Sequence, residues 1–191
     1  MNRRNFLAAT AATLGSKVLR ADTSSLSEDW LEAVRNSQAP LFLDAGSFSR
    51  SFAHFDRATA YLDGENGREI RAVVIIGLHG AGLAHGLSAQ IWEEWDLASQ
   101  LEVAIPNGRQ NENRLRVWVS EMARRYPGQV KVLACQRTLS RWALRHNPSE
   151  PFSDIVQANT VLIPSVNLVS AMVTAAARAQ HLGAAYSVSN D

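Results

Sequence analysis

The sequence predicts one α/β domain built on a mainly parallel sheet, and three observations carry that expectation. RAVVIIGL at 71–78 is an unbroken β-branched and aliphatic run. Such a run marks a strand covered on both faces, because a parallel sheet needs crossover helices on each side. Five short apolar runs alternate with helical segments along the chain, and a glycine-rich turn, HGAGLAHG at 79–86, comes directly after the central run.

Ser25-Leu-Ser-Glu28 reads as a capping box that opens a helix to about Ser37, because a serine hydroxyl and a glutamate three residues on satisfy orphan amides reciprocally. Pro40 blocks its continuation, and LFLDA at 41–45 is the expected first strand, with Asp44 or Ser47 placed to cap the next segment. HFDRATAYLDG at 54–64 sets Phe55, Ala58 and Leu62 on one helical face, with Gly64 and Gly67 as stops. After the central strand and its turn, a helix is expected around Leu87 to Trp95, and the polar stretch from Ala98 to Asn113 reads as a long loop.

LRVWVSEMARRYPG at 115–128 predicts a helix ended by Pro127-Gly128, VKVLAC at 130–135 a strand, and QRTLSRWALRH at 136–146 an amphipathic helix. A last βαβ unit is expected from TVLIP at 160–164, the helix VNLVSAMVTAAARAQHLG at 166–183 and the strand AAYSVS at 184–189. Crossover connections between parallel strands are right-handed, so helices fall on both faces of the sheet. No repeat or second domain is visible.

The amino-terminal stretch has a different character. MNRRNFLAATAATLGSKVLRADT combines a basic start, a short apolar segment from Phe6 to Leu14 and a small residue, Ala21, before the polarity rises. The Arg3-Arg4 pair, with Asn5-Phe6-Leu7 after it, resembles a twin-arginine export signal, which a receptor reads as an address. The apolar segment is about half of the roughly 20 residues a helix needs to cross a bilayer, so no membrane anchor is expected. The division is then a signal at 1–21, a helix and linker at 22–40 and the domain proper at 41–191, with a periplasmic or otherwise exported destination. Cleavage after Ala21 removes Arg3, Arg4, Lys17 and Arg20 and no acid, which takes the formal charge from +1 to −3. That balance gives no electrostatic reason to expect a nucleic-acid partner.

Cys135 is the single cysteine in the chain, so an internal disulfide framework is excluded. It falls at the end of a strand and the start of a helix, where the positive end of the helix dipole favours a thiolate. In open α/β sheets ligands sit beyond the carboxyl ends of the strands. Asp44, the turn with His79, Gly80, Gly82 and His85, and Cys135 with Thr138 are therefore candidates for one pocket, with Cys135 as its nucleophile. The turn reads GxxGxG, with no GxGxxG fingerprint and no P-loop GK[ST], which makes nucleotide binding a minor reading. His54, His79, His85, His146 and His181 offer no pair at close helical spacing, so no metal is expected. No cofactor is expected either. The five tryptophans fall mostly on predicted helices, where packing or an oligomer interface accounts for them.

HFDRATAYL, VVIIGLHGAGLAHGL, ACQRTL and VLIPSVNLVSAMVTAAARAQHLGAAY, in that order, resemble the DsrE/DsrF-like family of small sulfur-relay proteins. The resemblance spans about Leu41 to Val188. Its most specific parts are the ACxxTL segment and the AQxxGxxY ending formed by Ala179, Gln180, Gly183 and Tyr186. It implies a flavodoxin-like, DsrE-like three-layer fold with a five-stranded mainly parallel sheet, and self-association as a dimer, trimer or hexamer. It also implies a cysteine, matched here by Cys135, that accepts sulfane sulfur as a persulfide and passes it on, with a sulfur donor or acceptor protein as partner. The competing expectation is a non-catalytic oligomeric binding module or accessory subunit of an exported redox system, in which Cys135 is buried and inert. A cofactor-binding oxidoreductase is the weaker third.

Overall fold

A computed structural model describes residues 28–101, 114–148 and 161–188. Strands β1 (Ala39–Ala45), β2 (Ala72–Leu78), β3 (Val130–Cys135), β4 (Val166–Val169) and β5 (Ala185–Val188) form one sheet in the order β4-β3-β2-β1-β5. Every neighbouring pair is parallel. The chain advances from β1 to β4 in one direction, then returns to set β5 outside β1. With helices on both faces this is a three-layer α/β fold of the flavodoxin-like kind.

Side-chain alternation along each strand divides the interior in two. The first face takes Leu41, Leu43 and Ala45 of β1, Val74, Ile76 and Leu78 of β2, and Val132 and Ala134 of β3. Against them pack α2 (Phe48–Gly67), a 3-10 helix (Gly80–Gly86), α3 (Ala89–Glu94), α4 (Leu97–Gln100), α5 (Arg114–Arg125) and α6 (Gln136–His146). The second face takes Phe42, Val73, Ile75, Leu133, Cys135 and Val169. It is covered by α1 (Asp29–Arg35), through Trp30, Leu31 and Val34, and by the alanine-rich α7 (Met172–His181).

All seven residues of β2 are buried, as its continuous apolar run requires. β3 and α6 occupy the bounds expected from sequence.

The last βαβ unit is a correction. Residues 161–163 are not a sheet strand: Leu162 makes an isolated antiparallel bridge to Leu87, and the Ile163 amide donates to the Gly86 carbonyl at 2.9 Å. Pro164 has no amide proton to give to a ladder, and the chain turns there, with the Val166 amide on the Ile163 carbonyl at 3.0 Å. VNLV at 166–169, expected as helix, is the strand that pairs with β3, and the helix begins at Met172.

Smaller corrections concern helix ends. α1 starts at Asp29 with Glu28 as its N-cap, which makes no side-chain capping bond; Glu28 instead accepts from Arg178 at 2.7 Å, and Ser25 lies outside the described residues. α2 starts at Phe48, six residues before the expected start, and Ser47 occupies its N-cap without a side-chain bond. It runs through Gly64 to Gly67, and the reversal falls on Glu69, whose φ is 59°. The twin-arginine segment and the core of the expected 98–113 loop lie outside the described residues. Among the described residues no helix is long and apolar enough to cross a membrane.

Candidate functional site

Asp44 is the next-to-last residue of β1 and shares its register position with Gly77 of β2 on one side and Val188 of β5 on the other. By alternation its side chain belongs to the second face, with Phe42. At the carboxyl edge it joins two other elements. His79, one residue beyond β2, donates from Nε2 to Asp44 Oδ1, and the Tyr186 hydroxyl on β5 donates to Oδ2. Both carboxylate oxygens are thereby engaged.

Three features hold this cluster in place. The Tyr186 ring stacks on Phe42 with centroids 5.9 Å apart. A Cβ on Gly46 would come within 2.8 Å of His79 Cε1, so the glycine gives the imidazole its seat. A Cβ on Gly77 would lie 2.4 Å from Met172 Sδ and 2.8 Å from Phe42 Cζ, so the bare backbone there admits the floor of the site.

The electrostatics arise from the same contacts. Burial pushes the Asp44 carboxyl up, but hydrogen bonds from His79 and Tyr186, with the charges of His79 and His54, outweigh it and hold the group below its usual range. The Tyr186 phenol is pushed up to about 12, by burial first and then by its bond to Asp44 and that carboxylate's charge. Asp44 is thus an anion clamped between two donors, and the His79 side chain keeps 37% of its surface exposed.

Cys135 lies two strands from Asp44 and is the last residue of β3, paired in register with Val169, the last of β4. The chain leaves β3 into α6 on the first face and leaves β4 into α7 on the second. Diverging exits from adjacent parallel strands mark the carboxyl-edge position where ligands usually sit in such sheets. Cys135 is therefore at the topological switch point. It is also the N-cap of α6, without a side-chain capping bond, and is 5% exposed, packed in one apolar cluster with Leu133, Val169 and Met172. Thr138 lies in the first turn of α6, half-buried.

β2 and β3 pair through Leu78 and Ala134, so the next position on each chain is His79 and Cys135. His79 has extended backbone, with φ −147° and ψ −179°. The His79 ring leans toward β1, over Gly46 and onto Asp44, whereas the Cys135 side chain packs in the apolar cluster of the second face.

The rest of the glycine turn serves packing. A Cβ on Gly82 would lie 2.0 Å from the Ala45 carbonyl oxygen, and one on Gly80, at φ +50°, would lie 2.7 Å from the Gly46 carbonyl oxygen. These glycines let the 3-10 helix dock on the end of β1. His85 is carried away from the edge into the first core, where it is 2% exposed. It stacks on Phe48 with centroids 4.3 Å apart, meets Phe52 and Phe55 edge-on, and donates from Nε2 to the Phe48 carbonyl at 2.8 Å. Burial lowers its pKa to about 4 against a smaller opposing effect of that bond. Of the sequence candidates, the structure joins Asp44 with His79, leaves Cys135 at the end of β3 two strands from Asp44, and carries His85 into the core.

Two members of the cluster are not tied to Asp44 by any local sequence spacing. Tyr186 lies 142 residues from Asp44, so no local spacing reports their bond. His54, from α2, is 1% exposed, and among the described residues its ring nitrogens make no well-formed hydrogen bond. Burial lowers its pKa first, and the Arg57 charge lowers it further, against a raising effect of the Asp44 backbone and carboxylate. Among the described residues no group of three His, Cys, Asp or Glu side chains is arranged to hold a metal ion.

No protein-family model matches the chain, and no curated protein gives a match. Among solved structures, it is similar to MTH1491, a protein of unknown function from Methanobacterium thermoautotrophicum, at 15% identity and a TM-score of 0.45. That similarity covers 78% of this chain and 96% of the other.

Proposed function

We propose that this chain is an exported sulfur-relay protein of the DsrE/DsrF-like kind, which accepts sulfane sulfur on Cys135 as a persulfide and hands it to a partner protein. The observation that carries the reading is the position of Cys135 at the end of β3, where the chain leaves β3 and β4 on opposite faces of the sheet. Thiol exchange needs a thiolate and access to the donor sulfur. The carboxyl edge where β3 and β4 diverge is where sheets of this kind admit a ligand. The Arg3-Arg4-Asn5-Phe6-Leu7 sequence supports export by the twin-arginine route.

The test is to incubate the purified protein with polysulfide and map the product by mass spectrometry. Retention of one added sulfur atom on Cys135, absent in Cys135→Ser, is the expected result. A Cys135 peptide that never gains sulfur under conditions that load free thiols sinks the reading.

A second reading has its own observation. Cys135 is 5% exposed among apolar side chains, as in a binding module or accessory subunit where the thiol is a small core residue. It predicts that the native thiol resists alkylation until the protein unfolds and that Cys135→Ser is functionally silent.

A further inference from the structure

We infer that the groove between α1 and α7 is a binding site for an aliphatic carboxylate, which lays its chain on the apolar wall and its head group on Arg35 and Arg178. The groove has a volume of about 290 Å³, close to the roughly 300 Å³ at which small-molecule sites begin. Leu31 of α1, Ala177 of α7 and Leu182 just beyond it supply the wall, which is almost entirely apolar. Arg35, Arg178 and His181 also line the groove, and none of its lining residues is acidic. With so apolar a wall, the arginines lend it their carbon stems and hold their guanidinium groups at the rim.

Helix periodicity builds this slot. Met172, Ala175, Ala176 and Ala179 turn α7 onto the sheet, which leaves Ala177, Arg178 and His181 exposed on its outer side. Leu31 is buried and closes the bottom of the slot, and the short side chain of Ala177 leaves it open. α1 and α7 each end just before a strand begins, β1 at Ala39 and β5 at Ala185. Arg35 and His181 therefore lie toward the amino edge of the sheet, at the opposite end from Asp44 and Cys135.

The chain's own Glu28 shows how a carboxylate fares there. Arg178 donates from Nη1 to Glu28 Oε1 at 2.7 Å. The Arg178 hydrogen bond and charge hold the Glu28 carboxyl below its usual range, against a smaller opposing effect of burial, and the Arg35 charge acts in the same direction. Both guanidinium groups therefore act on one carboxylate position. Their fork of donors matches a carboxylate closely. The Glu28–Arg178 pair is exposed on both sides, so solvent leaves it little net strength. A carboxylate whose chain also fills the slot gains the burial that Glu28 lacks and can displace it.

The test titrates octanoate into the full-length protein, reading affinity by calorimetry and position by backbone amide shifts. Octanoate should bind with its shifts confined to α1 and α7, and octylamine, with the same chain and the opposite charge, should not bind. From hexanoate to decanoate the affinity should rise by up to about fourfold per methylene. Arg35→Gln and Arg178→Gln should each weaken octanoate by about tenfold, the size of one hydrogen bond to a charged group. Glu28→Gln should tighten it by releasing Arg178. Ala177→Trp, at an exposed helix position, should fill the slot and abolish binding while thermal unfolding shows the fold intact.

Octanoate that fails to bind at millimolar concentration overturns the inference, and so does octylamine that binds as well as octanoate. Binding that is indifferent to these substitutions overturns it as well, because the ligand then lies elsewhere. Protein that sediments with phosphatidylglycerol vesicles but takes up no octanoate also overturns it, and makes this face a lipid-surface contact. With no ligand of any kind, the arginines serve only the carboxyl ends of α1 and α7, where cations offset the helix dipoles. None of these outcomes involves Cys135, so the sulfur-relay reading stands or falls by its own test.

Discussion

His85 shows how far apart two histidines of one motif can be in their physics. Both belong to HGAGLAHG, yet His79 ends at the exposed edge and His85 inside an aromatic box. His85 has a folded pKa of about 4 against an ordinary value of 6.5, so between those values the unfolded chain binds the extra proton. Its contribution is therefore complete above about pH 6.5 and is lost as the pH falls toward 4. The loss amounts to roughly 3 kcal/mol. Asp44, with its carboxyl held below the usual 3.8, loses its contribution in a lower window, once the pH falls past that value. His85→Gln keeps a donor for the Phe48 carbonyl and does not titrate. Urea unfolding at pH 7 and pH 4 should show the variant losing about 3 kcal/mol less than wild type across that interval, and an unchanged pH dependence would contradict this account. The glycines separate just as cleanly. Gly82→Ala drives a Cβ to 2.0 Å from backbone and should destabilise by about 1–3 kcal/mol or more. Gly64→Ala, in mid-helix with nothing within 4 Å, should stabilise by about 0.5–1 kcal/mol. Thermal midpoints moving in opposite directions would bear this out. The strand-end positions of Asp44, His79 and Cys135 were legible from residue type and the ends of the apolar runs, whereas Tyr186 meets Asp44 only through folding.

Elements were legible where local chemistry marks their ends. β3 and α6 meet at Cys135 because an apolar run gives way to a polar amphipathic one at that residue, and β2 is bounded by Arg71 and His79. The 160–169 stretch carries two apolar runs, LIP and VNLV, of similar length, and local pattern cannot say which one pairs. Pro164 decides it by breaking the ladder, so the second run enters the sheet and α7 starts later. α1 poses a related question, since it has an ion pair at its start and an apolar face, and either could dock it. The ion pair Arg178–Glu28 is exposed on both sides, where solvent screening leaves little net gain. Trp30 is 3% exposed and packs with Leu31 and Val34 against the second face. Trp30→Ala should therefore cost about 3–5 kcal/mol in chemical denaturation, while Arg178→Ala should leave the curve unmoved. The reverse order would show that charge, not burial, seats this helix.

At the scale of the whole molecule, the sheet order puts the parts of the site on elements of unequal stability. β1 and β2 are interior strands, each paired along both sides, and every residue of β2 is buried. β5 is an edge strand of four residues, three of them exposed. Amides held by buried interior strands exchange only when the domain unfolds, whereas an exposed edge opens locally. The Asp44–His79 pair is thus built on the rigid centre, and Tyr186 reaches it from the strand that opens most easily. Native-state hydrogen exchange should show Ile75 and Ile76 amides protected to the global unfolding limit, with Tyr186 and Ser187 amides exchanging earlier and with little dependence on denaturant. Tyr186→Phe removes the hydroxyl that ties β5 to Asp44, so it should speed exchange at β5 and leave β2 unchanged. If β5 amides are as slow as those of β2, or if the variant alters both alike, the edge is not a separate opening unit. In that case Tyr186 belongs to the rigid frame of the site, and the hydroxyl's bond to Asp44 is made between elements that open together.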